Sequence, residues 1–144
     1  MESLHYLLMK SHAMLSRNIL SKANKIGLTP GQPKILDFLL KFGEADQKTI
    51  AAYCEIEPAT VGSILLRMEE NGLVLRRQKN GNRRSLYVSL TEKGKISAEN
   101  LMNIFNESEK MAVSNMTNEE IKALKEMLCK LCDTIKLNNE SKKE

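Results

Sequence analysis

Tryptophan is absent from this 144-residue chain, and aromatic residues make up only 4% of it. Proteins that hold single-stranded nucleic acid by base stacking need exposed aromatic platforms, so this composition disfavours that activity. Cysteine is scarce. Three residues, an odd count without framework spacing, predict reduced thiols and a cytoplasmic setting rather than a disulfide scaffold. No apolar run approaches the ~20 residues of a membrane span, and the N-terminus lacks the basic, apolar, small-residue order of a secretory signal. No membrane partner is expected. Linkers rich in Gly, Ser or Pro, internal repeats and low-complexity tracts are also missing.

Catalytic signatures are missing as well: there is no Gly-rich phosphate loop, no H-E-x-x-H and no nucleophile elbow. The two histidines, His5 and His12, fall on one helix face but ~10 Å apart along its axis, too far to share a metal ion. The expectation is a binding protein, not an enzyme, with no cofactor and no metal.

What is present is an uneven charge. The net charge is +4, yet residues 67–95 alone carry +5, from Arg67, Arg76, Arg77, Lys79, Arg83, Arg84, Lys93 and Lys95 against Glu69, Glu70 and Glu92. The other 115 residues sum to −1. A basic run is most often a solvated face, and charge speaks of partners rather than fold, so the local pattern has to decide.

That pattern predicts a mainly α chain with a small β-hairpin. A first helix over 3–25 spaces Leu4, Leu7, Leu8, Met14, Leu15, Ile19 and Ala23 at intervals of three, four and seven, and Gly27 ends it. Thr29-Pro30-Gly31-Gln32 reads as a capping box that starts a second helix with Pro30 at its first position. Ile35, Leu36, Leu39 and Leu40 form its buried face, and Gly43 stops it. Asp46 caps a short third helix, roughly Gln47 to Tyr53, with Ile50, Ala51 and Cys54 inward. Glu57-Pro58 opens a fourth helix. Two short helices joined by three residues have helix-turn-helix dimensions.

On the fourth helix Val61, Ile64, Leu65 and Met68 share one face, whereas Ala59, Thr60, Ser63 and Arg67 share another. Small residues permit close approach to a groove, hydroxyls can bond bases or phosphates, and Arg adds a fork of donors. Glu69 and Glu70 at the far end would repel phosphates, so the first two to three turns should face the nucleic acid. Gly72 ends the helix as a left-handed residue. Two strands follow, Leu73 to Gln78 and Ser85 to Leu90, around an Asn80-Gly81 turn. Thr91 caps a long fifth helix to about Asn115. Thr117-Asn118-Glu119-Glu120 is a second capping box, opening a sixth helix with a stripe of Ile121, Leu124, Leu128, Leu131 and Ile135. The first, fifth and sixth helices carry more apolar face than a small core absorbs, at ~1.5–3 kcal/mol per buried Leu. They are expected to pack together across a two-fold axis.

With this order of elements, the chain resembles the MarR family of bacterial transcriptional regulators. The resemblance runs through LTPGQPKILDFL (residues 28–39), the helix-turn-helix of 47–72, and GLVLRR…NRRSLYVSLTEKG (72–94). It implies a winged helix-turn-helix domain over 29–91, a helical dimerisation region over 1–28 and 92–138, and a frayed tail over 139–144. It also implies a homodimeric repressor that binds double-stranded DNA at a palindromic operator. Thr60, Ser63 and Arg67 would be the main groove contacts with Ala59 beside them, and Lys48 would meet a phosphate. Asn82, Arg83 and Arg84 would form the wing tip. The family pattern carries an Asp just before the wing arginines; here Asn82 stands there, so the wing keeps its charge without that brace. Members of the family bind small aromatic or amphiphilic effectors in a cleft beside the first helix, which points here to Met9 and His12.

Cys129 and Cys132 form a C-x-x-C in the second half of the sixth helix, where the helix dipole opposes a thiolate. Their bland reading is buried structural thiols. The alternatives are redox sensing, which some members of the family perform through cysteine, and, less favoured, a metal site. A rival of another class is a winged-helix module that docks a protein, but the segregated charge and the small, polar face of the fourth helix speak against it.

Overall fold

The computed structural model describes residues 1–79 and 81–143, except for the side chains of Asn82, Arg83 and Arg84. It falls into two units, residues 1–108 and 109–144.

In the first unit, α1 (Leu4–Asn24) starts where the Ser3 hydroxyl accepts the Tyr6 amide at 3.1 Å. α1 is tied to α5 (Glu92–Ala112) through a buried hydroxyl: Ser108 Oγ donates to Asn18 Oδ1 at 2.8 Å, and Lys22 Nζ reaches Ser108 Oγ at 3.5 Å.

α2 (Gln32–Phe42) begins two residues later than the capping-box reading expects. Thr29 to Gln32 is instead a turn. The Gln32 amide donates to the Thr29 carbonyl at 3.1 Å, and Gly31 takes φ +88°. Only half of the expected box forms, with the Thr29 amide donating to Gln32 Oε1 at 3.1 Å. The reason is a long-range contact: a Cβ on Gly31 would stand 2.4 Å from Cδ1 of Ile64, so this position serves a close approach rather than a helix start.

After α2, Ala45–Asp46 forms a two-residue strand, β1. Asp46 then caps α3 (Gln47–Cys54), its Oδ1 accepting the Thr49 amide at 2.7 Å. That bond holds the Asp46 carboxyl below its ordinary range. α4 spans Pro58–Glu70, and Gly72 follows at φ +75°. β2 (Val74–Lys79) and β3 (Asn82–Leu90) make the hairpin. The expected pair of strands is therefore a three-stranded antiparallel sheet in the order β1-β3-β2, with Ala45 opposite Val88 and Asp46 opposite Tyr87. Two residues show no period of their own, which is why β1 escapes a pattern search. Near the tip the register slips: Gln78 faces Leu86, but Lys79 faces Asn82.

The core gathers Ile35, Leu36 and Leu39 of α2, Ile50 and Ala51 of α3, and Val61, Leu65 and Met68 of α4. Val74 and Val88 of the hairpin and Ala98 and Leu101 of α5 close it. The hairpin joins α5 through Thr91, whose hydroxyl donates to the Gly72 carbonyl at 2.6 Å and accepts the Gly94 amide at 2.9 Å.

In the second unit, α5 ends at Ala112, three residues short of the expected stop. α6 (Asn118–Ser141) begins with both halves of the Thr117 and Glu120 capping box, at 3.1 and 3.0 Å. It runs on to Ser141, into the stretch expected to fray. No described residue of α6 is buried. Leu124, Met127, Leu128, Ile135 and Leu137 are all exposed.

A Cβ on Gly94 would lie 1.9 Å from the Leu73 carbonyl oxygen, which is backbone and cannot step aside. Gly94→Ala is therefore expected to lower stability by about 2–3 kcal/mol. Urea unfolding should show an earlier midpoint at unchanged slope, and a variant as stable as the parent would contradict the packing.

Candidate nucleic-acid interface

The outward face of α4 is built by elimination. Val61, Leu65 and Met68 point into the core, which leaves Ala59, Thr60, Ser63 and Arg67 exposed on the opposite side. Leu66, between the two faces, is exposed at 48%. Thr60, Ser63, Ile64 and Arg67 line one side of an open cleft of about 330 Å³. Thr29, Pro30 and Gln32 line the other. The turn before α2 thus borders the exposed face of α4. Only Pro30-Gly31, read as a turn rather than a helix start, could have signalled this in the sequence. The Ser63 hydroxyl donates to the Ala59 carbonyl at 3.3 Å.

Lys48 is exposed in the first turn of α3, two residues after its cap. The side chains expected at the wing tip, those of Asn82, Arg83 and Arg84, lie outside the described residues.

Among the described cations of the basic segment, Arg76, Arg77, Lys79 and Lys93 are engaged within the fold. Arg76, 16% exposed, bonds Glu69 of α4 and Gln47 of α3 through its terminal nitrogens, at 3.3 and 3.1 Å. Glu69 also accepts the Arg76 amide at 3.2 Å, so this carboxylate is spent on the wing rather than left to repel phosphates. Arg77 pairs with Glu44 at 2.9 Å, and Lys79 pairs with the same carboxylate while standing 5.1 Å from the centre of the Tyr87 ring. The Lys79 ammonium first, and the Arg77 guanidinium with it, hold the Glu44 carboxyl below its ordinary range. The pairing is therefore present through neutral pH and is lost only as pH falls through that lowered value. Lys93 donates to the Asn71 carbonyl at the end of α4, at 2.7 Å. Arg67 and Lys95 are exposed. Sequence reasoning missed Glu44, Gln47 and Glu69 as braces, because their partners lie 7 to 33 residues away.

The remaining candidates lie elsewhere. Met9 and His12 are exposed on α1, with Ser16 Oγ 3.5 Å from His12 Nδ1, and neither lines the cleft beside α4. Cys54 is buried, and burial pushes its thiol upward. Cys129 and Cys132 correct the expectation of buried thiols: both are exposed, because nothing in α6 is buried. Among the described residues no cluster of three His, Cys, Asp or Glu could hold a metal ion, and no helix is long and apolar enough to cross a membrane.

Residues 28–86, from the turn before α2 into β3, match the sequence model of the MarR family. The transcriptional regulator FarR of Neisseria gonorrhoeae is 30% identical over 116 residues, covering 80% of this chain and 77% of FarR. The chain belongs to the MarR family. Like other MarR-family proteins, it is a DNA-binding transcriptional regulator. Its fold is the family's winged helix. The S. aureus MepR–DNA complex superposes with a TM-score of 0.84 at 24% identity, over 93% of this chain and 99% of MepR. NadR, solved in complex with 4-hydroxyphenylacetate, superposes with a TM-score of 0.74 at 26% identity, over 91% of this chain and 93% of NadR.

The braces make a direct prediction. Glu44→Gln releases Arg77 and Lys79 toward phosphates, so the plot of log affinity against log salt should steepen by roughly 1–2, about 0.9 per added phosphate contact. An unchanged slope would mean that these cations already serve the DNA.

Proposed function

We propose that this regulator acts as a homodimeric repressor in the cytoplasm, binding by α4 and the wing to a palindromic operator and acting by binding rather than catalysis. The observation that carries the reading is the exposed face of Ala59, Thr60, Ser63 and Arg67 on a helix whose other face is locked in the core. In this reading Thr60, Ser63 and Arg67 enter the major groove, Lys48 meets a phosphate, and Asn82, Arg83 and Arg84 reach the flanking DNA. Two copies then read half-sites ~34 Å apart.

The dimer reading rests on helices that leave their stripes wet in a single chain. Leu4, Leu7, Met9 and Met14 of α1 and Leu124, Leu128 and Ile135 of α6 are exposed. The regions 1–28 and 92–138 would form the seam. Release by a small aromatic or amphiphilic acid is supported by NadR, which binds 4-hydroxyphenylacetate. Met9 and His12, on exposed α1, remain the candidate contacts.

Selection of bound duplexes from random DNA should yield an inverted repeat. Arg67→Ala should weaken that site by about 1–3 kcal/mol. Ser63→Ala should change base preference, while Arg84→Ala should weaken all sequences alike. Recovery of duplexes without any shared sequence would sink the specific-repressor reading. Separately, Leu128→Glu is expected to convert the dimer to a monomer in sedimentation, with loss of binding to the full repeat. A variant that stays dimeric would move the seam away from α6.

A further inference from the structure

Cys129 and Cys132 belong neither to the core nor to the proposed DNA contacts. Both are exposed, both are free, and α6 is continuous helix through them. At i and i+3 they lie on one face, about one turn apart. On that stripe their neighbours are Lys122, Lys125 and Lys136, so it is a solvated stripe. By helix geometry it lies roughly 100° around the axis from Leu124, Leu128, Leu131 and Ile135. Cys129 therefore points away from the apolar stripe, while Cys132, one turn after Leu128, stands at its edge; both are exposed in the chain.

Spacing decides what the pair can hold. Side chains three apart on a helix have Cβ atoms ~5–6 Å apart. A relaxed disulfide needs a Cβ separation of about 3.8 Å. A direct S–S bond would therefore strain this turn, whereas one extra atom between the sulfurs fills the gap with the helix intact.

We propose that Cys129 and Cys132 form a vicinal-dithiol site for a thiophilic centre that bridges two sulfurs, a trivalent arsenical R–As=O being the chemical class. The step is a condensation. Two As–S bonds form, both S–H bonds and the bonds to oxygen break, and the two protons leave with that oxygen as water. Arsenic stays trivalent, so neither oxidant nor reductant is consumed. The site does not depend on the operator reading.

The test uses the full reduced chain and phenylarsine oxide. One reagent should add per chain with loss of one water, seen by intact mass. Free thiols measured after unfolding should fall from three to one, the survivor being Cys54. Cys129→Ser and Cys132→Ser should each weaken binding roughly 100-fold or more, since the second thiol acts at high effective concentration. A dithiol such as 2,3-dimercaptopropanol should strip the adduct where an equal concentration of 2-mercaptoethanol does not. Circular dichroism should show the helix content of both Ser variants unchanged, so their loss reads as loss of the ligand. Equal binding by either Ser variant, dependence on Cys54, or reagent found linking two chains would each overturn the proposal.

Discussion

One hydroxyl holds the reader together. Thr91 Oγ1 donates to the Gly72 carbonyl and accepts the Gly94 amide, while the Thr91 amide donates to the Leu73 carbonyl at 3.1 Å. Four segments meet there: the end of α4, the start of β2, the end of β3 and the start of α5. A helix end leaves carbonyls without partners and a helix start leaves amides without partners. Here one side chain answers both, and Lys93 adds a donor to Asn71. The absence of a side chain on Gly94 lets the backbones close to contact. The angle between α4 and the wing depends on this joint.

Charge performs the second half of that task. Arg76 joins β2 to α4 through Glu69 and to α3 through Gln47. Glu44, in the loop between α2 and β1, gathers Arg77 and Lys79. The wing thus has braces that do not involve an Asp at position 82. The cost is electrostatic: cations paired inside the protein bring fewer net charges to a phosphate backbone. The segment's formal +5 overstates what it offers to DNA, and Arg67 on α4 gains weight accordingly.

Short-range chemistry was legible in the residues. The Asp46 cap, the Thr117–Glu120 box and Gly72 after α4 all act within four residues, and the described elements fall where they point; the Asn80-Gly81 turn falls partly outside the described residues. The two faces of α4 were legible for the same reason, since the helix period alone separates Val61 and Leu65 from Thr60 and Ser63. What escaped was set by distant partners. Pro30-Gly31 fits a helix start or a turn equally well until Ile64 packs on it. Gln47, Glu69 and Glu44 look like solvated polar residues until Arg76 and Arg77 arrive from the far side of the hairpin. Cys129 and Cys132 looked like interior residues because cysteine usually is one, but α6 has no described residue inside.

The bond from Ser63 Oγ to the Ala59 carbonyl has its own consequence for recognition. The hydroxyl proton is already committed, so the oxygen presents lone pairs to whatever approaches α4. If Ser63 faces a base as proposed, an edge that donates, such as the amino group of adenine or cytosine, meets this serine as it stands. An edge that only accepts requires the hydroxyl to rotate and give up a bond of about 1 kcal/mol. The free protein thus carries a small polarity bias at this position before any DNA is bound.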